Sequence, residues 1–150
     1  MEKIIKAKTA EDIIQLGKTI GLIAFPNMVI TMEGDLGAGK TTMTKGIGES
    51  LEIKRVINSP TFTIMKTYEG KLPLYHMDVY RISNETGDEY LEEYFELGGV
   101  TVIEWANNIS DIIPDDRLEI TISIDNDNVR IVKLSSNSQK YIDLINRLSA

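Results

Sequence analysis

Apolar residues recur at helical spacing in three stretches of the chain. The first stretch runs from after Thr9 to about residue 22. Thr9 is the expected N-cap of this helix, and Glu11 belongs to its acidic first turn. The second covers residues 85–97, where aromatic and leucine side chains share one side of an otherwise acidic segment. The third covers residues 139–148. These patterns predict three helices, each with one apolar face that packs against the rest of the protein.

Shorter apolar runs indicate strands. Residues 28–32 and 100–103 are continuous apolar runs, which is typical of strands buried on both faces. Residues 64–78 contain two such runs around a Glu-Gly-Lys turn, and this pattern predicts an antiparallel hairpin. Residues 118–134 alternate between apolar and polar positions on both sides of an Asp-Asn-Asp-Asn turn, which predicts a second hairpin.

A phosphate-binding loop of the form G-x-x-x-x-G-K-S/T follows the first strand. It reads Gly34-Asp35-Leu36-Gly37-Ala38-Gly39-Lys40-Thr41, and Thr42 comes next. Its glycines let backbone N–H groups face phosphate oxygens, the lysine reaches the β- and γ-phosphates, and the threonine hydroxyl can hold Mg²⁺. A helix is expected to open directly after the loop and to end near residues 48–51, so that its N-terminal dipole supports the same anion site. A solvated glycine-rich turn is the alternative, but it does not require this strand–loop–helix order.

The order of these elements predicts an α/β fold. We expect a P-loop NTPase-like mixed sheet, in which a parallel core is extended by antiparallel hairpins and flanked by helices. The length of 150 residues fits one domain with a proper core, and we therefore assign residues 1–150 to a single domain.

Two carboxylates lie at the ends of predicted strands. Glu104 directly follows the run 100–103, and Asp78 ends the second strand of the first hairpin. Mg²⁺ takes few carboxylates and several waters, so one acid near the metal and one near the attacking water is a sensible division. We assign Glu104 with Thr41 to the metal and Asp78 to the water. The swapped assignment remains open, and so does a turn-capping role for Asp78.

Three further residues have both a functional and a structural interpretation. Thr61, in a Ser-Pro-Thr-Phe run, is either a switch-type sensor of phosphate or Mg²⁺ or a turn residue that satisfies local backbone groups. His76 shares a strand face with Asp78, and we interpret it as a structural histidine. Trp105 either packs beside the predicted metal acid, gates the site or contacts a partner.

Charge and composition narrow the class of protein. The chain carries 16 Lys and Arg against 23 Asp and Glu, for a net charge of −7, and its basic residues are scattered. We therefore expect no strong independent binding to nucleic acid. No apolar run approaches the roughly 20 residues that span a bilayer, the N-terminus has no signal-peptide core, and there is no cysteine. These features predict a cytoplasmic protein that does not associate with membranes.

Four sequence blocks together resemble the TsaE family, also called YjeE. The blocks are residues 34–42, Ser59-Pro60-Thr61-Phe62, Tyr75-His76-Met77-Asp78-Val79-Tyr80-Arg81 and Ile103-Glu104-Trp105. They occur in the family's order and at its approximate spacing, and the resemblance covers about residues 9–133. Relatives usually carry a Leu-Gly dipeptide in the acidic stretch that follows the third block. That dipeptide is not in its expected place here, so no partner contact is carried over to this stretch.

The resemblance implies a bacterial ATPase of tRNA modification that binds ATP and Mg²⁺. Such a protein serves the formation of N6-threonylcarbamoyladenosine at position 37 of tRNAs that read ANN codons. It does so by acting on the complex of TsaD and TsaB, and it does not transfer the threonylcarbamoyl group itself. Its ATP binding and hydrolysis are expected to reset that complex between turnovers.

The resemblance also implies roles for individual residues. Residues 35–40 wrap the phosphates, and Thr41 and Thr42, which follow them, also belong to the nucleotide site. Thr41 and Glu104 hold Mg²⁺. The catalytic residues that it implies are Lys40, Thr61, Asp78 and Glu104, and Trp105 lies near the nucleotide. In this family the adenine lies between the N-terminal segment and a late hairpin, which here suggests contacts from Thr9, Glu11, Asn128 and Arg130.

Two other functions share a phosphate loop. A small kinase transfers phosphate to an acceptor, but it usually needs an arginine-bearing lid and a second substrate pocket, for which this chain has little length left. A non-hydrolysing switch binds ATP to change its affinity for a partner, and it would tolerate replacement of Asp78 or Glu104. The three functions differ in where the γ-phosphate goes.

Overall fold

The computed structural model describes residues 1–35, 37–60, 64–80 and 89–148. Leu36 and Thr61, two of the predicted site residues, lie outside the described residues. The elements in chain order are β1 (Glu2–Ala7), α1 (Ala10–Leu22), β2 (Met28–Glu33), α2 (Lys40–Ser50), β3 (Met65–Tyr68), β4 (Leu74–Asp78), a 3₁₀-helix (Glu89–Glu96), β5 (Val100–Glu104), a second 3₁₀-helix (Ala106–Ile109), β6 (Leu118–Ile124), β7 (Arg130–Ser135) and α3 (Gln139–Arg147).

The strands form one mixed sheet of seven strands in the order β1-β7-β6-β2-β5-β4-β3. The central strands β6, β2, β5 and β4 are parallel to one another. Antiparallel partners complete both sides, with β7 and β1 beyond β6 and with β3 beyond β4. The structure confirms the predicted mixed sheet and both predicted hairpins. All residues of β4 and β5 are buried, as expected for parallel strands that are covered on both faces.

The first strand, β1, was not among the sequence-based predictions. It pairs with β7 from Glu2 opposite Ser135 to Ala7 opposite Arg130. Ile4 is exposed in this strand, and its neighbour Ile5 is buried. So short a segment has little pattern of its own, and its conformation comes from pairing with β7 and not from local sequence.

The acidic segment predicted as an amphipathic helix over residues 85–97 differs in type. Its described part is a 3₁₀-helix that ends before Gly98, which has a φ of 87°. Leu91 and Phe95 are buried and Tyr94 is half-buried, as predicted for the apolar face, but Tyr90, which was predicted on the same side, is exposed.

Close contact between α1 and α2 positions the start of both helices. A Cβ on Gly17 would collide with the carbonyl of Met43, and a Cβ on Gly46 would collide with the carbonyl of Ile14. Only glycine therefore permits the two backbones to approach this closely. The two helices cover one face of the sheet over a common apolar core. As a result, the first turns of α1 and α2 line the same cavity.

Within the described ranges, the longest helix is α1 with 13 residues, and no helix there has the length and hydropathy required to cross a lipid bilayer.

Candidate nucleotide-binding site

A cavity of about 490 Å³ lies at the carboxyl ends of the parallel strands. This is the usual position of ligand sites in open α/β sheets, because loops and helix N-termini converge there. The cavity is lined by Ala10, Ile13, Gly37, Gly39, Lys40, Thr41, Thr42, Ser59, Asp78, Tyr80, Glu104, Trp105 and Arg130. Most of the residues predicted for phosphate, metal and water therefore lie around one cavity.

The phosphate loop has the backbone conformation that its glycines were expected to provide. Gly37 and Gly39 have φ values of 80° and 121°, which side-chain-bearing residues rarely adopt. The N–H of Ala38 donates to the carbonyl of Asp35 at 3.1 Å, which closes a tight turn in the loop. Helix α2 begins at Lys40 without a side-chain cap from the described residues. Its first N–H groups and its dipole therefore face the cavity, where they suit an anion.

Lys40 lies folded against the protein. Its side chain is almost completely buried, its Nζ donates to the carbonyl of Gly34 at 2.6 Å, and Nζ lies 3.8 Å from the centroid of the Trp105 ring. Burial lowers the pKa of the Lys40 ammonium, while the carboxylate of Glu104, the largest of four opposing charges, raises it. The lysine thus has a cation–π partner and acidic neighbours at the position where a phosphate would be neutralised.

The two predicted acids are neighbours on adjacent strands. Asp78 ends β4 and is paired in register with Glu104, which ends β5. Both are buried, with only 7% and 4% of their surface exposed. The backbone N–H of Tyr80 donates to Oδ1 of Asp78 at 3.0 Å, and the hydroxyl of Thr41 lies 3.5 Å from Oε2 of Glu104. Sequence spacing alone had predicted these side chains to meet at the strand ends.

The donor set at Thr41 and Glu104 fits Mg²⁺. A hydroxyl and a carboxylate are hard oxygen ligands, and Mg²⁺ in nucleotide sites usually takes one or two protein ligands and completes its shell with water and phosphate. No group of three or more His, Asp and Glu side chains forms a metal site among the residues that the structure describes. The geometry therefore suits an Mg²⁺ ion that takes its remaining ligands from water and phosphate.

Trp105 adopts a left-handed backbone conformation directly after β5. Its φ and ψ are 63° and 37°, and its N–H donates to the carbonyl of Met32 at 3.2 Å. The ring packs against Tyr80 with the centroids 4.8 Å apart. An aromatic residue in this region carries backbone strain, and such strain concentrates at functional sites. In this conformation the Trp105 ring lies 3.8 Å from Nζ of Lys40, measured to the ring centroid.

A second part of the cavity lining, the α1–β7 end, is formed by the first turn of α1 and the start of β7. Ala10 and Ile13 contribute apolar surface there, and both Ile13 and Arg130 lie beside Gly39 of the phosphate loop. The Nε of Arg130 donates to the carbonyl of Ala38 at 3.0 Å. This bond ties the late hairpin to the loop, so Arg130 has a defined contact with the site.

The other residues suggested for the adenine do not line the cavity. The Oγ1 of Thr9 accepts from the N–H of Asp12 at 3.1 Å and caps α1, and Glu11 accepts from the side chain of Gln15. Asn128 lies in the β6–β7 turn, where its N–H donates to Asp125. These side chains are exposed, and their contact with a nucleotide stays a prediction.

Four residues that line the cavity were not among the predicted site residues: Ala10, Ile13, Ser59 and Tyr80. Ala10 and Ile13 lie three residues apart on α1 and face the cavity together. The sequence shows this spacing, but it does not show which surface the two side chains face. The interpretation of His76 as a structural histidine agrees with its complete burial, and His76 contacts the site through Glu104. Its Nε2 lies 2.6 Å from Oε2 of Glu104. Its position two residues before Asp78 on a strand was the signal that it shares the acids' face.

Comparisons with known proteins agree on one family. The family model described as "Threonylcarbamoyl adenosine biosynthesis protein TsaE" matches residues 7–132. The tRNA threonylcarbamoyladenosine biosynthesis protein TsaE of Bacillus subtilis is 47% identical over 140 residues, which cover 93% of this chain and 89% of that protein. Its counterpart in Treponema pallidum is 35% identical over 126 residues, which cover 79% of this chain and 89% of that protein.

A solved structure supports the same assignment. The crystal structure of YdiB from Bacillus subtilis matches with a TM-score of 0.87 and 40% sequence identity, and the match covers 97% of this chain and 93% of that chain. The fold is therefore the P-loop type expected from the strand–loop–helix order. On the family model, the relatives and the structure together, the chain belongs to the TsaE family of threonylcarbamoyl adenosine biosynthesis proteins.

Proposed function

We propose that this protein binds and hydrolyses ATP with Mg²⁺, and that it thereby serves formation of N6-threonylcarbamoyladenosine in tRNA by acting on the TsaD–TsaB complex. The observation that carries the ATPase proposal is the convergence of phosphate loop, buried lysine and paired acids around one cavity. The family carries the link to tRNA modification. A cytoplasmic location follows from that role.

The phosphate end of the cavity supplies binding. The N–H groups of the loop and of the first turn of α2 would donate to phosphate oxygens, and the Lys40 ammonium would exchange its bond to the Gly34 carbonyl for bonds to the β- and γ-phosphates. The Lys40 side chain is already buried, so this exchange requires little further desolvation of the ammonium. Thr41 and Glu104 would hold Mg²⁺, which neutralises charge on the phosphates when bound.

Asp78 is the residue that we propose to orient the attacking water. It lines the cavity beside Glu104, and the N–H of Tyr80 fixes one of its carboxylate oxygens. Glu104 accepts a short bond from His76 and also faces Thr41, which suits a metal ligand better than a proton acceptor. This difference favours the assignment of metal to Glu104 and water to Asp78 over the swapped assignment.

The proposed target is a protein complex and not the tRNA itself. A net charge of −7 disfavours direct contact with a phosphate backbone. An acidic ATPase that acts on the tRNA-binding enzyme needs no basic face of its own. ATP turnover would then control how often TsaD–TsaB completes a reaction cycle.

Reconstituted multi-turnover tRNA modification tests the proposal. TsaD, TsaB, tRNA and a source of the threonylcarbamoyl donor are combined with wild type or Lys40→Ala, and modified tRNA per TsaD–TsaB complex is counted alongside free phosphate. We expect wild type to support many turnovers and Lys40→Ala to support only the first. Lys45→Ala is the matched control, because Lys45 is an exposed lysine on the same helix.

Three outcomes would contradict parts of the proposal. Equal turnover with wild type and Lys40→Ala would remove the requirement for ATP binding. Phosphate that appears on an added acceptor instead of in solution would indicate a kinase. Full modification by Asp78→Asn without phosphate release would indicate a binding switch that does not need hydrolysis.

A further inference from the structure

His76 and Glu104 form a buried pair that the proposed hydrolysis does not yet use. The His76 side chain is completely buried, and the Glu104 side chain is 5% exposed. The two meet through Nε2 and Oε2 at 2.6 Å, a short bond even for one with a carboxylate acceptor. A functional acid thus has an imidazole directly behind it.

The hydrogen bonds assign the imidazole tautomer. A carboxylate oxygen only accepts, so the proton in this bond lies on Nε2 of His76. The other ring nitrogen, Nδ1, is buried and has no hydrogen-bond partner among the described residues. A proton on Nδ1 would be a buried donor without an acceptor, and the Nε2–H tautomer avoids that cost.

The sheet determines which way this bond pulls the carboxylate. His76 is in register with Val102 on β5, so Glu104 lies two residues further along the same face. The imidazole therefore supports the acid from within the sheet, while Thr41 lies 3.5 Å from the same oxygen at the cavity. The short bond from His76 therefore holds the Glu104 carboxylate while the same oxygen faces Thr41.

We propose that His76 is a positioning residue: its Nε2–H holds Glu104 toward Thr41, so that Mg²⁺–nucleotide meets its protein ligands already in place. This inference rests on the proposed function, because it assumes that Glu104 serves the metal. Hydrogen-bond partners of metal ligands commonly contribute about 10- to 100-fold to metal affinity. Loss of the Nε2–H bond should therefore weaken nucleotide binding only when Mg²⁺ is present.

Nitrogen NMR of the ligand-free protein tests the tautomer. His76 is the chain's single histidine, so its ring signals need no assignment by mutation. We expect a pyrrole-type Nε2 and a pyridine-type Nδ1. A ring with its proton on Nδ1 would overturn the proposal, because it could not donate to Glu104.

Calorimetry of ADP binding with and without Mg²⁺ tests the consequence. His76→Gln carries an amide donor at about the distance of Nε2, whereas His76→Asn carries the same group one methylene shorter. We expect His76→Asn to lose about 10- to 100-fold in affinity with Mg²⁺ and to keep its Mg²⁺-free affinity. His76→Gln should retain most of the Mg²⁺-dependent affinity. Thr101→Val is the control, since it removes the other buried polar side-chain group that has no partner among the described residues, the Thr101 hydroxyl on β5.

The outcomes separate this inference from the proposed function. If wild type binds ADP equally with and without Mg²⁺, the metal assignment fails. If wild type depends on Mg²⁺ but His76→Asn depends on it equally, His76 is structural and the inference fails. Equal losses in His76→Gln and His76→Asn would overturn it too, because they would show that the position and not the donor matters. Should His76→Asn not fold, the NMR tautomer and His76→Gln still decide.

Discussion

Two parts of the cavity lining are built in different ways. At the phosphate end, Lys40, Asp78 and Glu104 are buried ionisable residues; Lys40 and Asp78 are held by bonds to backbone, and Glu104 is held by the His76 side chain. At the other end, Ala10 and Ile13 offer mainly apolar surface, and Arg130 alone brings a charge. The phosphate end therefore has a defined geometry before a ligand arrives, whereas the other end offers shape and apolar contact.

The difference follows from how each end is connected to the sheet. Asp78 and Glu104 end strands β4 and β5, and Lys40 follows β2 through the phosphate loop; the register of these strands places their ends side by side. The other end joins the first turns of α1 to a strand about 120 residues later in the chain. The residues whose chemistry requires precise positions thus lie on adjacent parallel strands. The residues that offer mainly apolar contact lie on elements that meet only by packing.

Asp78→Asn should give the largest effect and should separate catalysis from binding within the phosphate end. Loss of the group that orients or deprotonates water lowers phosphate release by about 100- to 10,000-fold. ATP affinity should change little, because the amide keeps the shape of the side chain. Phosphate release under saturating ATP and calorimetric affinity are the two measurements. A loss confined to affinity would assign Asp78 to binding and favour the swapped roles of the two acids.

Lys40→Met should lower ATP affinity by about 100-fold or more, since removal of a buried charge partner costs at least 2 to 3 kcal/mol. Stability should not fall with it. Burial lowers the pKa of Lys40 in the folded protein below its unfolded value of 10.5. The unfolded chain therefore holds this proton more tightly, and the charged lysine opposes folding at neutral pH.

The same pKa shift gives Lys40→Met a pH signature. In wild type, this lysine contributes a rise in the free energy of unfolding as pH increases from the folded pKa toward the unfolded one. The methionine variant should lack that contribution and be at least as stable at neutral pH. Denaturant melts at neutral and alkaline pH measure both quantities. If the variant is less stable at neutral pH, the attraction between the Lys40 charge and the surrounding acids outweighs the cost of burying that charge.

The contrast between the two ends also explains what could be predicted from sequence. Lys40, Thr41 and Glu104 lie at fixed offsets from apolar runs, so a motif and a strand end suffice to place them. The bond between His76 and Glu104 depends on the register of β4 against β5, and the bond from Arg130 to Ala38 joins residues 92 apart. Register and long-range packing depend on the whole sheet, which no local pattern encodes.

Arg130→Met tests whether the two ends are independent. Its loss removes the bond to the Ala38 carbonyl, and we expect ATP affinity to fall by about 5- to 10-fold, the value of one typical hydrogen bond. Because this bond acts on the phosphate loop, binding of inorganic triphosphate should weaken by the same factor. Parallel titrations of ATP and triphosphate make the comparison, with the exposed Lys133 replaced by Met as control. Weaker binding of ATP alone would instead assign Arg130 to the base.

Thr9→Ala should produce the smallest effect and should leave both ends of the cavity unchanged. The Thr9 hydroxyl accepts from Asp12 at the first turn of α1, and its removal costs about 1 kcal/mol of stability. Since Thr9 does not line the cavity, ATP affinity should remain at the wild-type value, in contrast to the expectation from sequence that it contacts adenine. Denaturant unfolding and ATP calorimetry on the same preparation measure the two effects. A fall in ATP affinity with unchanged triphosphate affinity would place Thr9 at the base after all, and it would show that the start of α1 moves toward the ligand when ATP binds.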